Sequence, residues 1–146
     1  MPPMKFAAAL IAMAVMASAA ARPAGTEASE ASLNIPVEEL RFYQNRDGMI
    51  FADAWGDPQT GPHSNFIRIP PDTASPPHTH TSSYYGVVIT GIVANERLGA
   101  AFDRPLRPGS YWFQKGSEKH VTKCLSAEAC LIFVTSKGRF DYLPAP

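Results

Sequence analysis

The sequence predicts an all-β domain in which many short strands form a sandwich or a barrel. The 146 residues include 14 prolines and 10 glycines, which favour frequent turns over long helices. Short apolar runs alternate with turn signals, and no stretch keeps a helical period of apolar residues. The length corresponds to one domain, and no internal repeat is visible.

The strands are predicted from the apolar runs. Residues 34–43 fit either a short helix or a first strand, and the sequence leaves that choice open. Gly91 is expected to bend the longest of the later runs, and the aromatic run 111–113 is expected to fill the core. The later strands are predicted at Gly48–Trp55, Asn65–Ile69, Tyr84–Ala94, Ser110–Gln114, Lys119–Lys123, Leu131–Thr135 and Phe140–Leu143.

The N-terminus is typical of a secretory signal peptide. Lys5 precedes an uncharged stretch over residues 6–21, which ends in small residues. These 16 uncharged residues fall short of the ~20 that a membrane-spanning helix needs, so cleavage is favoured over anchoring. We therefore predict a signal peptide at 1–21, a flexible leader at 22–33, a domain at 34–146, and a periplasmic or secreted location.

The charge composition limits the partners. Thirteen Lys and Arg residues balance thirteen Asp and Glu residues. This balance does not favour nucleic-acid binding, and no Lys/Arg run indicates an anionic membrane surface. The expected partner is a small molecule, with no nucleic acid and no membrane after signal cleavage. Whether two copies form a homodimer stays open.

The two cysteines suggest a disulfide. Cys124 and Cys130 are six positions apart and flank a short polar stretch between two β-rich runs. This arrangement predicts a hairpin with a cysteine at each foot, and an oxidising compartment would allow the two to pair. Two free thiols are the alternative.

Two of the four histidines stand together as His78-Thr79-His80. Side chains two apart on a strand share a face, so both imidazoles can point at one metal ion. Pro76 and Pro77 precede them, and Gly91 follows eleven residues after His80.

This arrangement resembles the first motif of the cupin superfamily, roughly G-x5-H-x-H-x3or4-E-x6-G. His78, His80 and Gly91 match that motif. Asp72 stands at its opening glycine, and Tyr84 stands at its glutamate. The acidic ligand of the motif therefore does not carry over to this chain.

A second stretch resembles the second cupin motif, roughly G-x5-P-x-G-x2-H-x3-N. Gly109 and His120 match. Lys115, Ser117 and Cys124 replace the proline, the second glycine and the asparagine. With the export signal, the chain resembles small exported bacterial cupins of a family defined as a domain of unknown function.

The resemblance, which covers about residues 60–143, implies a cupin-type double-stranded β-helix, or jelly-roll barrel. It implies one divalent transition metal, whether Fe, Mn, Zn, Ni or Cu, bound by His78, His80 and His120. Tyr84 shares strand parity with His78 and His80 and is expected to face the same cavity. It is a candidate ligand as phenolate, a candidate catalytic group that bonds a metal-bound water, or a core aromatic.

Two further residues are candidates on the substrate side. His63 shares parity with Ile67 and Ile69, so it would face the interior near the site, or else begin the strand in a turn. Arg68 is either an anion clamp or a surface residue. Three functions stay open: a metal-dependent enzyme such as a dioxygenase, a non-enzymatic module that binds a small ligand or metal, and a metal-free cupin that modifies or binds sugars.

Overall fold

The computed structural model describes residues 31–45, 48–99 and 104–146. The predicted signal peptide and most of the predicted leader lie outside these residues. The chain divides into two units, Met1–Leu33 and Asn34–Pro146, and the fold below is that of the second unit. In the described part of the chain, no helix is long and apolar enough to cross a membrane.

Short strands dominate, as the sequence predicts. The segment that the sequence left open holds both a helical turn and a strand. The elements are a 3-10 helix at Val37–Glu39 and the strands β1 Tyr43–Gln44, β2 Ile50–Gly56, β3 His63–Ile69, β4 His78–Thr79, β5 Tyr84–Thr90, β6 Val93–Arg97, β7 Tyr111–Gln114, β8 His120–Cys124, β9 Cys130–Ser136 and β10 Leu143–Pro144.

The strands form two antiparallel sheets. One sheet has the order β1-β2-β3-β9-β5-β7, and the other has the order β10-β4-β8-β6. Inward-facing side chains of both sheets meet in one apolar core, which includes Phe51, Val88, Ile132 and Val134 from the first sheet and Val93 from the second. This is the jelly-roll arrangement that the sequence predicts.

The predicted strand Tyr84–Ala94 is wrong in its extent. Gly91 has φ 82° and ends β5 in a turn, and β6 then runs in the other sheet. A Cβ at Gly91 would lie 2.6 Å from Cys130 Sγ, so a larger residue does not fit there. At Gly91 the chain therefore passes from one sheet to the other, instead of bending within a single strand.

The predicted hairpin between the cysteines is also wrong, although the disulfide itself is present. Cys124 ends β8 and Cys130 begins β9, and these strands belong to different sheets. The bond joins two residues whose Cα atoms are 5.7 Å apart, so it ties one sheet to the other. A short polar connection fits a hairpin and a sheet-to-sheet crossing equally well.

Two aromatic predictions differ from the structure. Trp112 is buried, but Tyr111 and Phe113 are 59% and 51% exposed. Both flank Tyr85 on the outer face of β5 and β7, with ring centroids 6.2 Å and 5.2 Å from it. Alternation along β7 sends only one of the three consecutive aromatics inward.

The predicted strand Phe140–Leu143 is likewise wrong, because β10 begins at Leu143.

Candidate metal centre

Three buried histidines from two adjacent strands converge inside the barrel. His78 begins β4, His80 follows its end, and His120 begins β8 opposite His78 in the ladder. One ring nitrogen from each can be chosen so that all three lie within 4.8 Å of one another. The structure thus brings together the three ligands that the sequence predicts.

The other nitrogen of each ring faces a backbone carbonyl. Nδ1 of His78 lies 2.9 Å from Pro76 O, and Nδ1 of His120 lies 3.1 Å from Glu118 O. Nδ1 of His80 pairs with Asp141 O. A carbonyl only accepts, so each Nδ1 carries the hydrogen and each Nε2 keeps its lone pair. This tautomer is the one that a metal site needs, and carbonyl partners of this kind are usual around bound metals.

The rings are kept neutral by their surroundings. Burial lowers the pKa of His80 to about 3 and that of His120 to about 4, against a smaller raising effect of the carbonyl bonds. Burial also lowers the pKa of His78. Neutral imidazole is the form that binds a metal.

A segment near the C-terminus packs on the histidines. The Phe140 ring stacks on His80 with centroids 4.2 Å apart, and the Tyr142 ring stacks on His78 at 4.5 Å. Asp141 supplies the carbonyl for His80 and fixes its own side chain to Thr81, through the backbone N–H at 2.7 Å and the hydroxyl. Three consecutive residues therefore orient two of the three ligands.

Tyr84 approaches the cluster from the opposite sheet. Its Oη lies 3.4 Å from His120 Nε2 and 3.5 Å from Asn95 Oδ1. Asn95 in turn accepts from Thr122 Oγ1 and donates to Gln114 Oε1, both at 2.8 Å. Burial raises the pKa of Tyr84 to about 12, which favours the neutral phenol. Tyr84 faces the cavity, whereas Tyr85 is 40% exposed on the outer face.

The two substrate-side candidates lie apart from the cluster. His63 is fully buried and faces inward, and its ring packs against Phe140 with ring centroids 5.7 Å apart. It is not part of the histidine cluster. Arg68 is exposed, its guanidinium lies 3.7 Å over the Phe42 ring, and it is among the residues that line the cavity beside the histidines.

A cavity of about 230 Å³ opens beside the histidines. His78, His80 and Tyr84 line its polar part. Apolar side chains, among them Ile67, Ile132, Val134 and Phe140, line much of the rest. A cavity of this kind, mostly apolar with a few convergent polar groups, suits a small organic molecule.

The model of one protein family, described as Domain of unknown function (DUF4437), matches residues 51–145. The chain belongs to this family. No curated protein matches this chain. Its cupin fold is shared by many solved structures at low sequence identity.

Three of them illustrate the likeness. KdgF from Halomonas sp. superposes with a TM-score of 0.58 at 19% identity, covering 71% of this chain and 94% of that chain. The polyketide cyclase RemF from Streptomyces resistomycificus superposes with a TM-score of 0.62 at 14% identity, covering 77% of this chain and 87% of that chain. A Cupin 2 conserved barrel domain protein from Salinispora arenicola superposes with a TM-score of 0.58 at 14% identity, covering 74% of this chain and 90% of that chain. At these identities the likeness shows the fold and nothing finer.

Sequence reasoning missed several residues that shape the DUF4437 site. Phe140, Asp141 and Tyr142 carry no motif, and Asp141 acts through its backbone carbonyl, which any residue type has. Asn65 left a detectable signal, because it has the parity of His63 and Ile67 and so points a polar side chain into the core.

Proposed function

We propose that this protein binds one divalent first-row transition metal through Nε2 of His78, His80 and His120 and acts as an enzyme on a small molecule in the adjoining cavity. One observation carries the proposal: three buried imidazoles each bring one ring nitrogen to within 4.8 Å of the others. The Nδ1–carbonyl pairs leave Nε2 free on each ring, but His63 has such a pair as well, so it is the convergence of the three rings that points to a metal.

The donor set fits such an ion. Three neutral nitrogen ligands suit Fe, Mn, Zn, Ni or Cu and leave further coordination positions for small molecules. When bound, the ion would supply Lewis-acid polarisation of a ligand oxygen or activation of dioxygen. Tyr84 stands where the cupin motif has glutamate, so the ligand set brings no charge, and an anionic substrate or hydroxide is expected to supply it.

The protein residues provide orientation and a proton. Phe140 and Tyr142 hold the rings of His80 and His78, and apolar side chains line much of the cavity in which a ligand would bind. The Tyr84 hydroxyl stays protonated in the absence of metal and can donate a hydrogen bond to an oxygen atom beside His120. The enzymatic part of the proposal rests on the open coordination positions beside a cavity; one protein of the same fold, RemF, is described as a polyketide cyclase, but fold alone does not fix function.

Metal titration tests the proposal. Metal-free protein titrated with Zn²⁺ should bind one ion, and His120→Ala should weaken binding by about 100-fold or more, because two imidazoles bind first-row ions poorly. His63→Ala is the matched control, since His63 is equally buried but outside the cluster. Equal binding by His120→Ala and wild type would refute the site. Oxygen uptake by the Fe²⁺-loaded protein then tests dioxygen chemistry.

We also propose export to the periplasm or beyond. The disulfide supports it, because such bonds persist in oxidising compartments. Cell fractionation with mass measurement of the N-terminus should find the protein outside the cytoplasm and shortened near residue 21. Full-length protein in the cytoplasm would contradict export.

A further inference from the structure

A second polar group lies inside the barrel beside the metal centre. His63 and Asn65 are both fully buried and face inward from β3. Among the described residues, Nε2 of His63 and both Nδ2 and Oδ1 of Asn65 have no hydrogen-bond partner although they are buried. Burying a polar atom without a partner destabilises a fold, so two such side chains next to each other are unusual for a purely structural core.

Their position places them against the cavity wall. Asn65 pairs with Val134 across the sheet, and Ile67 follows it on the same face of β3. Val134 and Ile67 both line the cavity next to the histidines. Phe140 lines it as well, and its ring contacts both His80, with ring centroids 4.2 Å apart, and His63, with ring centroids 5.7 Å apart. His63 and Asn65 are not among the residues that line the cavity, and the partly exposed Phe140 is a cavity-lining side chain that contacts His63.

The hydrogen-bonding capacity of the pair specifies its ligand. His63 Nδ1 lies 2.9 Å from Gly61 O and donates to it, so Nε2 can only accept. Asn65 offers one acceptor oxygen and a donor amide. The pair therefore presents two acceptors and one donor site. A primary carboxamide has the complementary set, two N–H donors and one carbonyl acceptor, whereas a carboxylate has no donor.

We propose that His63 and Asn65 form a subsite that binds the primary carboxamide of a small organic ligand, which displaces the Phe140 side chain to reach it. The proposal deepens the proposed function and rests on its small-molecule cavity, but it does not require the metal. It is therefore tested on metal-free protein with the disulfide intact.

Acetamide is the probe, and the side-chain amide resonances of Asn65 in ¹⁵N-labelled protein are the readout. Acetamide should shift these resonances to saturation. Acetate and N,N-dimethylacetamide can accept from the Asn65 amide but cannot donate to His63 Nε2 or Asn65 Oδ1, so they should bind much more weakly than acetamide. Asn65→Leu should weaken acetamide binding, followed through backbone resonances of β3, by about tenfold. No saturable shift with acetamide, or equal shifts with dimethylacetamide, would overturn the proposal.

Stability gives a second, independent measurement. Asn65→Leu removes atoms that have no partner, so the urea midpoint should stay equal or rise, as for residues kept for binding. Asn95→Leu is the matched control, because the Asn95 amide is partnered by Gln114 and Thr122, and its midpoint should fall. An equal fall for Asn65→Leu would make Asn65 a structural residue and end the proposal. Zn²⁺ binding by Asn65→Leu, measured without acetamide, should match that of the wild type, because Asn65 is outside the histidine cluster.

Discussion

The two ends of strand β8 are held in different ways. At its beginning, His120 belongs to a cluster of neutral, hydrogen-bonded rings that non-covalent contacts from the segment at 140–142 complete. At its end, Cys124 is tied covalently to the opposite sheet. Protons or ligands can therefore change the contacts at the histidine end, whereas the covalent bond keeps the cysteine end unchanged by them. Each prediction below perturbs one end and leaves the other unchanged.

Acid should have the largest effect, and it acts on the histidine end. The pKa of each imidazole in the unfolded chain is near 6.5, whereas burial holds those of His80 and His120 to about 3 and about 4 in the fold. Between these values the unfolded chain binds more protons, so the free energy of unfolding falls as the pH drops from 6.5 toward 3. The loss for metal-free protein should be on the order of a few kcal/mol.

Urea unfolding at several pH values measures this loss. His80→Leu should flatten the pH dependence, because it removes a group that protonates only on unfolding. A midpoint that does not change between pH 7 and pH 4 would contradict the lowered pKa values.

Reduction of the disulfide should have the next largest effect, confined to the cysteine end. The double variant Cys124→Ser with Cys130→Ser should lose about 2 kcal/mol of unfolding free energy, because the bond closes a short loop. Reductant should lower the midpoint of the wild type and leave the variant unchanged. Zn²⁺ affinity of the variant should match that of the wild type, since His120 lies at the other end of β8, and a large loss of affinity would show that the ends are coupled.

Each end of β8 has, near it in the fold, one residue other than glycine with a positive φ angle. Among the described residues, Asp72 and Ser117 are the non-glycine residues with positive φ, at 50° and 62°. Both occupy positions where the cupin motifs have glycine. Ser117 donates its N–H to His80 O at 2.8 Å, and Asp72 donates to Ser126 O at 3.2 Å, beside the disulfide. At both positions this chain has a left-handed backbone conformation, which glycine adopts at the least cost.

Placing glycine at these positions should stabilise each end slightly. Ser117→Gly should gain up to about 1 kcal/mol, and Asp72→Gly should gain less, because aspartate tolerates this conformation better. Thermal unfolding of each variant checks this. Ser110→Gly is the control at an ordinary φ, where glycine should cost stability. A loss at both positions would mean that the side chains matter more than the strain.

Removing the Tyr84 hydroxyl should have the smallest effect on stability. Tyr84→Phe should bind Zn²⁺ with the wild-type stoichiometry, because three nitrogen ligands remain, and should shift the pH dependence of azide binding to the loaded protein. A phenolate charge-transfer band with Fe³⁺ or Cu²⁺ that Tyr84→Phe abolishes would show that the bound ion ionises Tyr84 despite its burial. Tyr85→Phe, on the outer face, is the control. Identical azide binding by Tyr84→Phe and wild type would leave Tyr84 as a packing residue.

The sequence predicted the all-β fold from its short apolar runs and turns, and the three-histidine cluster from its resemblance to the cupin motifs. It also predicted the cysteine pairing, although from a hairpin that the structure does not contain. His78 and His80 share a face by alternation, and His120 was placed by its motif. The sheet change after Gly91 and the sheet-to-sheet disulfide were not predictable, because they depend on which strands pair, and short runs specify pairing weakly. The roles of Asp141 and Asn65 depend on partners that are distant or missing, which no motif records.

The tautomer of His80 depends on a residue far along the chain. The carbonyl that orients its ring belongs to Asp141, 61 positions later. During synthesis, both histidines of the His78-Thr79-His80 run therefore leave the ribosome long before the group that orients one of them. Until the segment after β9 has docked, the His80 ring is free to present either nitrogen. In the proposed function, metal loading would therefore follow the docking of that segment.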